Sequence, residues 1–267
     1  MFGIKEKAMD LTGKVALITG GTRGIGYGIA ERLAAHGATV ALVARSPEKG
    51  AEALQRLNAE GRAFFYACDV LERDSVEETV DAVIEQNGGV DILVNNAGGA
   101  DGFALIHEMT DEAWQKAGTW ILDQVFWFTR RCLPHMVDQR WGRIVNISSI
   151  ASKQAKKPGS SHYITFKHAL NGFSKATARD YGELGITCNA ICPGPVETDL
   201  MREAGRASAA RRGVSYEDYL KNYAADTMTK QLNTVEQVAA TCALLVSDEG
   251  AGITGTAINV DGGTLPW

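Results

Sequence analysis

The chain has 267 residues, with 27 Lys+Arg against 32 Asp+Glu, a formal net charge of −5, and 45% hydrophobic and 22% charged residues. That is the balance of an ordinary globular protein. A net-acidic chain without a basic tail does not suit nucleic acid, which demands clustered positive charge. No apolar run reaches the roughly 18–20 residues of a membrane span, and the start MFGIKEKAMD has no apolar segment of a secretory signal. Five scattered cysteines without a CxxC pair argue against a disulfide scaffold or zinc site and for a reducing, cytoplasmic setting.

Seven apolar, β-branched runs alternate with helical stretches. The predicted strands are Val15–Thr19, Thr39–Ala44, Ala63–Cys68, Ile92–Asn95, Arg143–Ser148, Ile186–Ile191 and Ala257–Val260. The predicted helices are Ile25–His36, Pro47–Ala59, Ser75–Gln86, Asp111–Gln139, Tyr163–Glu183 and Val235–Val246. Strands that are apolar throughout suit a parallel sheet buried on both faces. Strict strand–helix alternation gives right-handed crossovers and a doubly wound α/β fold. With no linker or repeat, residues 1–267 read as one Rossmann-type domain, a seven-stranded parallel sheet flanked by helices on both faces. From Glu197 to about Lys230 the alternation lapses into a polar segment with two short helices, which reads as a substrate lid.

The first strand runs into TGGTRGIG, whose Gly20, Gly24 and Gly26 let backbone amides approach a pyrophosphate at a helix N-terminus. At the tip of the second strand, where an acid would hold a ribose 2′-hydroxyl, stand Ala44 and Arg45. With Arg23 in the glycine turn, two guanidinium groups suit a 2′-phosphate, so NADP(H) is preferred over NAD(H). Asp69, after the third strand, serves either an adenine amino group or a turn cap. The fourth strand ends in Asn95-Asn96-Ala97-Gly98, small residues on the edge of the sheet where ligands bind.

Ser149 ends the fifth strand, and Tyr163 and Lys167 lie at i and i+4 on one helix face. A neighbouring ammonium is expected to lower the tyrosine pKa towards neutrality, making it a general acid or base. Ser149 would polarise the same substrate oxygen. No His, Cys, Asp and Glu set has metal-ligand spacing. Trp114, Trp120 and Trp127 read as core or subunit interface.

With these residues assembled, the chain resembles the short-chain dehydrogenase/reductase family over almost its whole length. The motifs that carry the resemblance are TGGTRGIG, Asp69-Val70, NNAG, Ser149, YITFK, PGPVET (193–198) and NVDGG (259–263). The opening is similar to tropinone-reductase-type NADPH enzymes and the pattern also to 3-oxoacyl reductases; the lid and last residues are weakly similar to 3-hydroxybutyrate dehydrogenases. The resemblance implies a catalytic set of Ser149, Tyr163 and Lys167, with Lys167 also holding the nicotinamide ribose. It implies cofactor contacts from Gly20, Thr22, Arg23, Gly24, Ile25, Gly26, Arg45, Asp69, Val70, Asn96, Ala97, Gly98, Tyr163 and Lys167. Pro193, Gly194, Val196 and Thr198 would meet the nicotinamide, and subunits would pair as tetramers or dimers.

Two departures stand out. Ile121 falls where the family pattern places an asparagine that organises a proton-relaying water, with Gln124 one turn away either replacing it or lying on the surface. Ser149 and Tyr163 are 14 apart, one more than the commonest spacing. Lys153, Lys156, Lys157 and His162, with Arg202, Arg206, Arg211 and Arg212 in the lid, either meet a substrate anion or form a solvated rim. The expected activity is NADP(H)-dependent hydride transfer between nicotinamide and a ketone or secondary alcohol. A 3-oxoacyl or 3-hydroxy-acid substrate is an alternative, and a nucleotide-binding sensor with little turnover is another.

Overall fold

The computed structural model describes residues 9–59 and 61–264. The first eight residues, part of the segment read above for a signal, lie outside the described residues. Seven strands form one parallel sheet in the order β3-β2-β1-β4-β5-β6-β7. They are β1 Val15–Thr19, β2 Thr39–Ala44, β3 Ala63–Ala67, β4 Ile92–Asn95, β5 Gly142–Ile147, β6 Ile186–Pro193 and β7 Ala257–Val260. The central strands are buried on both faces, whereas the edge strands β3 and β7 are half-exposed. Apolar runs without alternation are what such a position demands.

Each strand sends alternate side chains to two cores. Ala16 and Ile18 of β1 join Ile29 and Leu33 of helix α1 (Gly24–Ala35) and Val238 and Leu245 of α9 (Val235–Val246). Val15 and Leu17 join Val76 and Val80 of α3 (Arg73–Asn87) on the opposite face. Helix α2 (Pro47–Leu57) starts at Ser46, whose side chain accepts from Lys49 N, with Pro47 pre-set for the first turn. It stops at Asn58 in the left-handed conformation, two residues before the expected end.

The long helix expected over 111–139 is divided. Helix α4 (Asp111–Gly118) passes into a π-helical turn, Thr119–Asp123, and then α5 (Gln124–Gln139). The wider turn is a local distortion of a kind frequent at functional sites. Helix α6 (Ser161–Tyr181) covers β5 and β6, and the polar segment folds as α7 (Asp199–Arg212) and α8 (Tyr216–Ala224). Among the described residues no helix is long and apolar enough to cross a membrane.

Leu93, in the middle of β4, is fully buried in the second core. Leu93→Ala is expected to cost about 3 kcal/mol through lost transfer energy and an unfilled cavity. Urea unfolding checks this: the midpoint falls while the slope with denaturant is unchanged.

Candidate active site

The strand order reverses between β1 and β4, so a crevice opens at the carboxyl ends of these two strands. β1 hands over to Gly20, held at φ +64°, a conformation that favours glycine. A Cβ at Gly26 would overlap the Gly20 carbonyl oxygen and the Asn96 amide nitrogen, so strand and helix approach at a distance that excludes a side chain. Arg23, the residue before α1, makes no side-chain cap, leaving the first amides of a 12-residue helix for an anion. Asn96 is spent on shaping this cradle. Its Nδ2 donates to the Thr19 and Gly20 carbonyls (2.9 and 3.3 Å), while Thr19 Oγ1 accepts from the Asn96 and Ala97 amides (2.9 Å each).

Arg23 and Arg45 are both exposed. Neither has an acidic partner among the described residues, so both are free to meet a phosphate; Ala44, the last residue of β2, brings no competing carboxylate beside Arg45. Asp69 caps the following turn, accepting from Leu71 N at 3.1 Å, and Val70 is buried in the second core. Pro193 ends β6, and the Gly194 amide donates to the Val260 carbonyl at 2.9 Å, bringing PGPVET against NVDGG. Val196 bridges to Asn233. Thr198 caps α7, its hydroxyl accepting from Met201 N at 3.2 Å, so the base of the expected lid is fixed by a residue assigned to the nicotinamide.

Tyr163 and Lys167 project from the first turns of α6 into the site, as their spacing requires. Lys167 is buried, and its ammonium donates to the Ile147 carbonyl at the end of β5 (2.8 Å). It lies 5.8 Å from the centre of the Tyr163 ring. Burial brings the Lys167 pKa down to about 8. The Tyr163 pKa is raised, not lowered as the sequence led us to expect: desolvation of the phenolate dominates, and a hydrogen bond from Ser149 opposes it. The ammonium is directed to a main-chain carbonyl, and in this state the phenol keeps its proton at neutral pH. The extra residue between Ser149 and Tyr163 is absorbed by the loop before α6, where Gly159 takes φ +74°.

Ile121 is buried in an apolar cluster with Val125 and Leu170, against which Tyr163 and Phe166 pack, so it has no polar atom to offer. Gln124 is fully buried and not a surface amide. Its Nε2 donates to the Ala97 carbonyl (2.9 Å) and the Trp120 carbonyl (3.4 Å), tying the π-helical turn to NNAG. Its Oε1 is buried without a partner. A Cβ at Gly98 would sit 3.6 Å from the Trp120 carbonyl oxygen and 3.8 Å from Lys167 Nζ, so both line one small space.

The basic residues resolve into separate contacts. Lys153 donates to the Ala257 carbonyl (2.6 Å) and Asn259 Oδ1 (2.5 Å), and Lys156 pairs with Asp226. Arg202 pairs with Glu197 (3.2 Å) and Asp199 (3.0 Å), and Arg211 donates to Ser208. Arg206 and Arg212 lie over the Tyr216 and Tyr219 rings. His162 is no part of a rim: it is fully buried, with Nε2 2.8 Å from the Asp101 carbonyl. Trp120 and Trp127 pack against the second core, while Trp114 is exposed along one side and meets Phe166. Among the described residues no His, Cys, Asp and Glu group is placed to hold a metal.

One network was not read from the sequence. Ser152 Oγ donates to the Ser149 carbonyl (2.5 Å), accepts from Asn171 Nδ2 (2.8 Å) and lies 3.4 Å from Cys192 Sγ. It holds the backbone of Ser149 from α6 and β6. Asn171 sits four residues beyond Lys167 on α6, the one signal that would have pointed to it.

The chain matches known proteins over almost its whole length. A family model described as enoyl-(acyl carrier protein) reductase matches residues 20–264. A 3beta-hydroxysteroid dehydrogenase of Mediterraneibacter gnavus is 36% identical, over 94% of this chain and 94% of its own. The 3-oxoacyl-[acyl-carrier-protein] reductase FabG of Escherichia coli is 36% identical, over 96% and 98%. The L-sorbose reductase of Gluconobacter frateurii, solved with NADPH and L-sorbose, superposes with a TM-score of 0.91 at 32% identity, covering 97% of this chain and 99% of that one. With its switch-point crevice, glycine cradle and Ser149, Tyr163 and Lys167 in one site, the chain belongs to the short-chain dehydrogenase/reductase family.

Proposed function

We propose that the protein is an NADPH-dependent reductase that converts a ketone to a secondary alcohol. The observation that carries this reading is the pairing of Tyr163 with Ser149 and Lys167 in a buried site where the phenol retains its proton. A phenol kept in its acid form is suited to giving a proton to a carbonyl oxygen. The cradle fits the cofactor: uncapped amides of α1 for the pyrophosphate, and Arg23 and Arg45, without an acidic partner among the described residues, for the 2′-phosphate. Gly24, Ile25, Thr22 and Asn96 shape the cradle, and Pro193, Gly194, Val196 and Thr198 bound its nicotinamide end.

NADPH, when bound, supplies the hydride that reaches the carbonyl carbon. The Tyr163 phenol donates its proton to the carbonyl oxygen, so the product is a neutral alcohol. The Ser149 hydroxyl donates a hydrogen bond to the same oxygen and polarises it. Lys167, cationic below about pH 8, stabilises negative charge left on the phenol oxygen. Gln124 Nε2 donates to the Trp120 carbonyl, so an amide stands one turn from Ile121, where the asparagine was expected. The segment over 197–230 serves as the lid.

Two copies or more assemble through α5 and α6. A surface hollow of about 490 Å³ there is lined by Phe126, Leu133, Pro134, Val137 and Phe173, with Phe126 exposed, an apolar patch of the kind that marks an interface. The five cysteines are free and buried, which suits a reducing, cytoplasmic setting.

Tyr163→Phe is expected to lower NADPH-dependent ketone reduction by about 10²–10⁴-fold, the scale of a lost general acid, with cofactor affinity retained; initial-rate and fluorescence titrations check both. Arg23→Ala with Arg45→Ala is expected to weaken NADPH binding about 100-fold, as two charge-assisted contacts are lost, and to leave NADH binding unchanged. Equal loss of both cofactors would contradict the assignment.

A further inference from the structure

We propose that Asn171 and Ser152 are positioning residues for the reduction: together they fix the turn that aims the Ser149 hydroxyl at the substrate oxygen served by Tyr163. This deepens the reductase reading and rests on it. Ser149 caps a single 3-10 turn, Ile150–Ser152, and its Oγ accepts from the Ala151 amide at 3.1 Å. A hydroxyl oxygen that accepts from an amide still has its proton to give. Ser149 gives it to the Tyr163 hydroxyl. A carbonyl oxygen placed between the two takes a hydrogen bond from each.

One 3-10 turn holds itself poorly, because its hydrogen bonds are badly aligned and few. Ser152 holds it from outside. This side chain is buried, and all of its hydrogen-bonding capacity is used. Its one proton goes to the Ser149 carbonyl (2.5 Å), which also accepts from the Ser152 amide (2.9 Å). Its oxygen accepts from Asn171 Nδ2 (2.8 Å) and lies 3.4 Å from the buried Cys192 Sγ. Nδ2 can only donate, so Ser152 must accept there and keeps its proton for the Ser149 carbonyl. The Asn171 amide thus decides which way the Ser152 hydroxyl points.

Asn171 comes from the helix that carries the other two catalytic groups. Tyr163, Lys167 and Asn171 stand at i, i+4 and i+8 along α6, in one stripe. That stripe holds three successive residues after the middle of β5. Lys167 Nζ donates to the Ile147 carbonyl (2.8 Å), Ser148 Oγ donates to the Lys167 carbonyl (3.4 Å), and Asn171 reaches Ser149 through Ser152. One helix therefore sets the phenol and, through the turn, the hydroxyl that must meet it on a single atom. Lys153 ties the far end of the turn to β7, so Asn171 governs the end at Ser149. A small misplacement of such a donor is felt in rate more than in binding.

The test joins kinetics to a spectroscopic readout. Asn171→Ala is expected to lower kcat about 5–10-fold for the ketone that the wild-type protein reduces fastest, the worth of one hydrogen bond. The KM for NADPH is expected to change less than about twofold. Asn171→Asp has the same shape, but its carboxylate takes the Ser152 proton away from the Ser149 carbonyl, and it is expected to lose at least as much. In a Ser149→Ala background, Asn171→Ala is expected to cost less than about twofold more, since the group it positions is gone. A full additional loss in that background, or an Asn171→Asp variant as active as the wild type, would overturn the inference and leave Asn171 a fold contact only. The second readout needs no turnover: NMR of protein labelled at the tyrosine ring carbon that bears the hydroxyl, with the Tyr163 signal assigned by its absence in Tyr163→Phe. Ser149→Ala is expected to move this signal, and Asn171→Ala to move it in the same direction. A Tyr163 signal left in place by Asn171→Ala would overturn the inference. If urea unfolding shows that Asn171→Ala does not fold, Ser152→Ala carries the same expectations. A wild-type protein that reduces no ketone counts against the reductase reading, and the NMR signal then decides the inference alone.

Discussion

The site depends on one buried cation. Lys167 carries its ammonium into the interior and finds one acceptor among the described residues, the carbonyl of Ile147 at the end of β5. An ammonium without an acidic partner is costly to bury, and its pKa falls to about 8 in consequence. That bond ties α6 to the carboxyl edge of the sheet, and with α6 comes Tyr163, one turn earlier. The same desolvation that weakens the ammonium also disfavours phenolate, so both groups hold their protons below about pH 8, and Lys167 is the first to lose its own as pH rises. Catalytic character arises here from shared burial, more than from simple attraction between a phenolate and a cation.

Around this pair the polar groups form buried chains that connect elements far apart in sequence. Asn95 donates to Asn146 at 2.8 Å, and Asn146 donates to Ser174 at 2.9 Å, joining β4, β5 and α6. Ser152 joins Ser149 to Asn171 and Cys192, and Thr19 joins the glycine turn to NNAG. Buried hydrogen bonds are modest in net energy but costly to break on one side. Their effect is to hold Ser149, after β5, in register with Tyr163 and Lys167 on α6. The Gln124 contacts extend this logic to the π-helical turn, which the structure places where an unbroken helix was expected.

Much of this was legible in the sequence. Strands β1, β2, β4 and β7 begin and end where β-branched runs do, because a parallel sheet buried on both faces leaves an uninterrupted apolar signature. The i, i+4 spacing of Tyr163 and Lys167 and the glycine turn are local, and local geometry survives folding. The rest depended on long-range contacts. Nothing near Tyr163 announces the desolvation of its hydroxyl, so the direction of its pKa shift was misjudged. Lys153 and Lys156 looked like free cations because Asn259 and Asp226, their partners, lie 106 and 70 residues away. The sequence leaves His162 between an anion contact and a solvated rim, and Gln124 between a substitute for the asparagine and a surface amide; packing encloses both. At the π-helical turn Phe166 lies close over Gly118 and the Trp120 carbonyl lies beside Gly98, contacts between segments that no window of sequence displays together.

The central claim is that one buried pair, with Lys167 cationic and Tyr163 protonated, sets the working range of the site. The most direct measurement is the pH dependence of single-turnover NADPH oxidation with a reducible ketone in excess. The account expects a rate that is flat from about pH 6 to 7.5 and falls by about tenfold per unit above about 8, as Lys167 loses its proton. A rate that rises through pH 8, or stays level to pH 10, would contradict it.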